Sequence, residues 1–194
     1  MTCIAAVVGP RGKIVMGGDS ASTDSNWQQL SAAEDKLFRL GEFIIGTSGS
    51  WRGAQLARYA FIPPKRLTRT PIDQYMATSF IDGLRKAWKE GGHLFKSKSE
   101  DEPAEETVGT TMLIGYRGML WIAESDLQVI RMRDDYAAIG SGADVALGAL
   151  WATQQEGATK VRILTALKAA ERYNAAVRGP FLVLTNEGTG EPKA

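Results

Sequence analysis

Short apolar runs separated by turn residues fill the first fifty positions. Residues 3–8 are a continuous apolar run, Gly9-Pro10-Arg11-Gly12 has turn composition, and 13–17 resumes the run, which predicts a hairpin at the very start of the chain. A second hairpin is predicted from 36–40 and 43–47 around Gly41-Glu42. Helical spacing then takes over. Ala54, Leu56, Ala57 and Ala60 place a helix over 51–61, ended by Pro63-Pro64. A second helix is expected from Thr70-Pro71, with Thr70 as N-cap and Pro71 at the first helical position. Ile72, Met76, Phe80, Leu84 and Trp88 recur every four residues as its core stripe, with Ala77 and Ile81 beside it.

The pattern breaks at 91–107, where Lys96, Lys98, Glu100, Asp101, Glu102, Glu105 and Glu106 predict a solvated insertion with His93 at its surface. Four strands follow, at 110–116, 119–124, 127–131 and 136–139. Helices are expected near 143–155 and 160–177, the second ended by Gly179-Pro180, then a strand over 181–185 and a polar tail at 187–194. Strands and helices come in groups and do not alternate, so the fold class is α+β, with helices packed on antiparallel sheets. Two sheets between two helical layers would cover every apolar face.

Composition narrows the chemistry. The chain has 194 residues, which suits one domain, and its net charge of +1 gives no field for polyanions, which argues against nucleic-acid partners. No apolar run spans a bilayer and no signal peptide opens the chain, so no membrane partner is expected and a soluble cytoplasmic protein is. One Cys and one His exclude a Cys-rich or His-clustered metal site and leave a Ser-His-Asp triad one candidate base. Gly18-Asp19-Ser20 matches a hydrolase motif, but no His follows His93 to activate the serine. Gly46-Thr47-Ser48-Gly49-Ser50 is not a nucleophile elbow. Gly140-Ser141-Gly142 lacks the third small residue of a dinucleotide turn, Val145 standing there, and reads as a tight strand-to-helix turn.

Position 2 is different. Initiator methionine is usually removed before a small residue, and removal here would leave Thr2 with a free α-amine beside its own hydroxyl. Such an amine has an ordinary pKa near 7.7–8.0 and can serve as a base at neutral pH. In the first hairpin the second strand ends beside the start of the first, so Asp19 is expected next to Thr2. Lys36, opening the third strand, could reach both. A cation near the hydroxyl favours its deprotonated form, and a carboxylate keeps the cation charged and placed.

These residues resemble the threonine-type N-terminal nucleophile hydrolases, the family of proteasome β-subunits and the bacterial ATP-dependent peptidase HslV. Five further segments carry the resemblance in order: 18–23 (GDSAST), 35–40 (DKLFRL), 45–50 (IGTSGS), 108–112 (VGTTM) and 138–142 (AIGSG). It implies a four-layer αββα sandwich and amide-bond hydrolysis without a cofactor. Thr2 would be the nucleophile, Lys36 and Asp19 its activating pair, the Gly49 N–H the oxyanion donor and Ser141 an orienting group. Ser22, Thr23, Glu34, Ser48 and Trp51 would contact protein or peptide substrates, Glu34 favouring basic side chains. The resemblance also implies a homo-oligomeric ring, with an ATPase unfoldase as a candidate partner. It departs where the family usually carries an Asp late in the penultimate helix, matched here by Asn174, and where Val177 replaces a Ser that often follows. The long insertion is also atypical. Two other readings stay open on the sequence: an amidase acting on small amides, and a catalytically inactive structural relative.

Overall fold

A computed structural model describes residues 1–23, 28–96 and 105–186. In chain order its strands are β1 (Ile4–Val8), β2 (Ile14–Gly18), β3 (Ala21–Thr23), β4 (Gln29–Ser31), β5 (Leu37–Leu40), β6 (Phe43–Gly49), β7 (Phe95–Lys96), β8 (Glu106–Thr107), β9 (Thr110–Tyr116), β10 (Met119–Ala123), β11 (Val129–Arg131), β12 (Tyr136–Ile139) and β13 (Leu182–Asn186). The helices are α1 (Trp51–Tyr59), α2 (Ile72–Tyr75), α3 (Ile81–Glu90), α4 (Ala143–Ala152) and α5 (Thr159–Tyr173).

One sheet runs β12-β1-β2-β13 and the other β11-β10-β9-β6-β5, all neighbours antiparallel. The continuous apolar runs of the sequence reflect strands buried on both faces. In β1 the side chains of Ala5 and Val7 pack with α4 and α5 residues such as Leu150 and Leu167, while Ile4 and Ala6 face the other sheet. In β6, Phe43 and Ile45 face the helices α1 to α3, and Ile44 faces inward. Three apolar layers therefore separate four structural ones, the α/β/β/α arrangement anticipated from the grouping of elements. Among the described residues no helix is long and apolar enough to cross a membrane.

The stripe from Ile72 to Trp88 shows why its spacing is four. A regular helix turns about 400° in four residues, so a strict four-residue repeat drifts about 40° at each step. The chain absorbs the drift with a π turn at Met76–Phe80 between α2 and α3. Met76, Phe80, Leu84 and Trp88 are consequently all fully buried. Wider winding turns Ala77 out to solvent, contrary to its expected place beside the stripe. Pro71, not Thr70, holds the N-cap position, and no side chain caps that end.

Three further expectations are corrected. His93 is buried, with its ring edge-on to Phe95, because β7 pairs with β8 and folds the start of the insertion onto α1 and α3. Residues 97–104 of that insertion and the tail at 187–194 lie outside the described residues. Helix α5 stops at Tyr173 and not near 177, because Asn174 leaves helical geometry (φ −127°, ψ 111°) and turns the chain. The hairpin β3–β4, too polar to register as strands in the sequence, extends the chain beside the end of β2.

Candidate active site

Register brings the first residues into a frame. Ile4 pairs with Gly18 on one side and Ile139 on the other, so the residues following β2 and β12 flank Thr2 and Cys3. Asp19 comes from the first side. Its Oδ1 accepts the Cys3 N–H at 2.8 Å, its Oδ2 accepts the Ala21 N–H at 3.2 Å, and its own N–H donates to the Cys3 carbonyl at 3.2 Å. Ser141 comes from the second. The Thr2 N–H donates to Ser141 Oγ at 3.2 Å, and the Gly142 N–H donates to the Thr2 carbonyl at 3.1 Å. Gly140 makes this approach possible: it has φ +91°, and a Cβ there would run into the Thr2 carbonyl.

The opposing sheet delivers Lys36, the residue before β5. Its Nζ lies 2.9 and 3.0 Å from the two Asp19 carboxylate oxygens and 3.1 Å from the Met1 carbonyl oxygen, to which it donates. Both charged side chains are buried, with 5% and 0% of their surface exposed. Burial holds the Lys36 ammonium below its ordinary pKa, and the neighbouring Asp19 charge offsets part of that shift. The same burial, with the Lys36 charge adding to it, lowers the pKa of the Met1 α-amine. Cys3 goes the other way: desolvation and the Asp19 carboxylate push its thiol up to about 12.

Thr2, itself buried, opens with Lys36 onto a pocket of about 210 Å³. Ser22, Thr23, Ser48, Gly49 and Trp51 line the same pocket, together with Met1, Thr47, Ser50 and Ala54. Gly49 ends β6 at φ +100°, where a Cβ would strike the Gly109 carbonyl. The Ser50 N–H then donates to that carbonyl at 2.9 Å, and Ser50 Oγ caps α1 by accepting the Gly53 N–H at 3.3 Å. Trp51 Nε1 donates to Ser22 Oγ at 3.2 Å, tying α1 to β3 across the pocket.

Asn174 reaches the site through Ser141, its Nδ2 donating to the Ser141 carbonyl at 2.6 Å. Glu34 does not line the pocket. Its carboxylate accepts from Gln55 Nε2 at 3.0 Å and stands 3.5 Å from the Arg58 guanidinium, so its charge is already matched. The lining residues Thr47, Ser50 and Ala54, and the clamp from the Gly142 N–H, were not singled out in the sequence. The run of small residues at 140–142 was the available signal for the clamp. A larger cavity of about 820 Å³ lies along the β5–β6 turn and the linker after α1, and it contains none of the expected site residues.

No protein-family model matches the chain, and no curated protein matches it in sequence. Solved structures do match it. BPH from Thiobacillus denitrificans superposes with a TM-score of 0.78 at 18% identity, over 98% of this chain and 100% of that one. Eukaryotic HslV from Trypanosoma brucei gives 0.64 at 18% identity, over 95% and 98%. Anbu (ancestral beta-subunit) from Yersinia bercovieri gives 0.66 at 15%, over 95% and 81%. The chain has the proteasome β-type N-terminal nucleophile hydrolase fold.

Proposed function

We propose that this chain is a threonine peptidase whose nucleophile is Thr2, exposed by removal of Met1. One observation carries the reading: a buried Lys36–Asp19 pair, 2.9 Å apart, stands at the wall of the pocket that holds Thr2, with the Lys36 Nζ 3.1 Å from the carbonyl of the residue before it. Loss of Met1 would leave an α-amine where the Thr2 N–H now faces Ser141 Oγ. Burial and the Lys36 charge lower the pKa of the amine one residue earlier, and the same causes act on an amine at Thr2. A lowered pKa favours the unprotonated form, which takes the hydroxyl proton, directly or through a water.

Thr2 Oγ attacks the substrate carbonyl and forms an acyl-enzyme, the protonated amine donates to the departing amine, and water completes the hydrolysis. Lys36 stabilises the deprotonated hydroxyl, and Asp19 holds Lys36 in place. The Gly49 N–H is the oxyanion donor, a contribution of about 10²–10³ in rate. Ser141 and Asn174 orient the terminus. An extended peptide adds as a strand along Thr23 and Gly49, its side chain entering between Ser22, Ser48 and Trp51. The protein acts in the cytoplasm as a homo-oligomeric ring of such sites, with an ATPase unfoldase as the class of partner that feeds it.

Fluorogenic peptides test the reading. Hydrolysis by the wild type, abolished in Thr2→Ala with an unchanged thermal melt, is the expected result. Turnover that survives Thr2→Ala overturns it.

A further inference from the structure

Asn174 makes two hydrogen bonds of opposite sense. Its Oδ1 accepts the Ala176 N–H at 3.0 Å, and its Nδ2 donates to the Ser141 carbonyl at 2.6 Å. Each bond fixes the other, because a flipped amide would set its NH₂ against an N–H and its oxygen against a carbonyl. A side chain with one donor and one acceptor satisfies both partners. An ionised carboxylate, which only accepts, satisfies one and opposes the other.

The carbonyl it holds belongs to the turn that makes three bonds to residue 2: Ser141 Oγ accepts the Thr2 N–H at 3.2 Å and donates to the Thr2 carbonyl at 3.4 Å, and the Gly142 N–H donates to that carbonyl at 3.1 Å. A continuous path therefore runs from the end of α5 through Ser141 to Thr2. We infer that Asn174 is a positioning residue that must be an amide. By donating to the Ser141 carbonyl it holds the 140–142 turn against residue 2. The effect on rate rests on Thr2 being the nucleophile; the demand for a donor at 174 does not.

Asn174→Asp keeps the size and the acceptor for Ala176 and replaces the donor. The charged residues on the elements that meet here are Glu171 and Arg172 at the end of α5, Arg178 in the turn after it, and Asp144 in the first turn of α4; Asp19 and Lys36 lie on the Thr2 side. Glu171 already accepts the Gly179 N–H at 2.9 Å. All are common to the wild type and the variant, so their ratio isolates position 174. A carboxylate facing a carbonyl oxygen holds its proton more tightly, against the pull of the retained Ala176 N–H, and the protonated form regains a donor.

The expected result is a kcat at pH 8 at least about tenfold below wild type, as a misplaced catalytic group costs, with the ratio narrowing as pH falls toward 5. Asn174→Ala loses both bonds and gives a ratio that does not vary with pH. Carbon-13 NMR of Asn174→Asp, with the aspartate carboxyls labelled, should place the new carboxyl above the ordinary value near 3.9. A pKa at or below that value overturns the inference, as does a rate equal to wild type. Wild-type protein that hydrolyses no peptide would overturn the peptidase reading instead, and the NMR titration would still decide the requirement at 174.

Discussion

Replacing Lys36 by Met keeps the aliphatic stem and deletes the charge, and its cost can be worked from the geometry. Asp19, with none of its side chain exposed, loses the two contacts to Nζ at 2.9 and 3.0 Å. It keeps the N–H groups of Cys3 at 2.8 Å and Ala21 at 3.2 Å. Breaking a buried pair by removing one partner costs about 3–5 kcal/mol. Two retained hydrogen bonds to the carboxylate place the loss at the lower end, about 3 kcal/mol. At about 2–4 °C per kcal/mol for a chain of this size, the melting temperature falls by about 6–12 °C.

Calorimetry at fixed protein concentration on Lys36→Met, Asp19→Leu and the double variant completes the cycle. The double variant, with both charges gone, should recover at least about 2 kcal/mol relative to the sum of the singles. A Lys36→Met melt that matches wild type, or a double variant no better than additive, refutes the buried-pair reasoning.

Three other outcomes are expected. Gly49→Ala forces a φ of +100° on a residue with a Cβ and should cost about 1–3 kcal/mol, read by urea unfolding, with peptide hydrolysis falling at least about tenfold; an unaltered unfolding curve contradicts it. Cys3, fully buried with its thiol raised to about 12, should resist iodoacetamide at pH 8 in the native protein and react once unfolded. Because the folded state keeps that proton while an unfolded thiol near 8.5 loses it, stability should fall as pH rises from about 8.5 toward 12; rapid native alkylation contradicts both statements. Peptides with small uncharged side chains at the cleavage site should exceed Lys or Arg peptides in kcat/KM, since Glu34 is matched by Arg58 and Lys36 is held by Asp19. A tenfold preference for basic peptides, lost in Glu34→Gln, would restore the simpler expectation for that carboxylate.

How far the sequence could be read depended on whether a feature was local. The hairpins around 9–12 and 41–42 carry their own turn residues, so the return of Asp19 to the start of the chain was legible; it was expected next to Thr2, and its carboxylate bonds the N–H of Cys3. The four-residue stripe at 72–88 was legible as a core face, but the π turn that reconciles it with helical winding is set by packing against β6 and β9. His93 looked exposed because the charged run 96–106 begins just after it; its burial comes from the pairing of β7 with β8, thirteen residues on, and from α1, which precedes it by more than thirty. Glu34 offered a charge, and only the fold shows that Arg58, twenty-four positions on, already answers it. The end of α5 was placed too late because Ala175, Ala176 and Val177 suit a helix, whereas the bonds that Asn174 makes to Ser141 and Ala176 turn the chain.

A nucleophile at Thr2 carries the label of an inhibitor that closes on both a hydroxyl and its neighbouring amine. Native protein is incubated with a peptide epoxyketone, its intact mass is measured, and the adduct is mapped by peptide mass spectrometry. The expected result is a chain lacking Met1 with one adduct, on Thr2. A free Thr2 that takes no label, or an adduct on Cys3, Ser20 or any other residue, contradicts it.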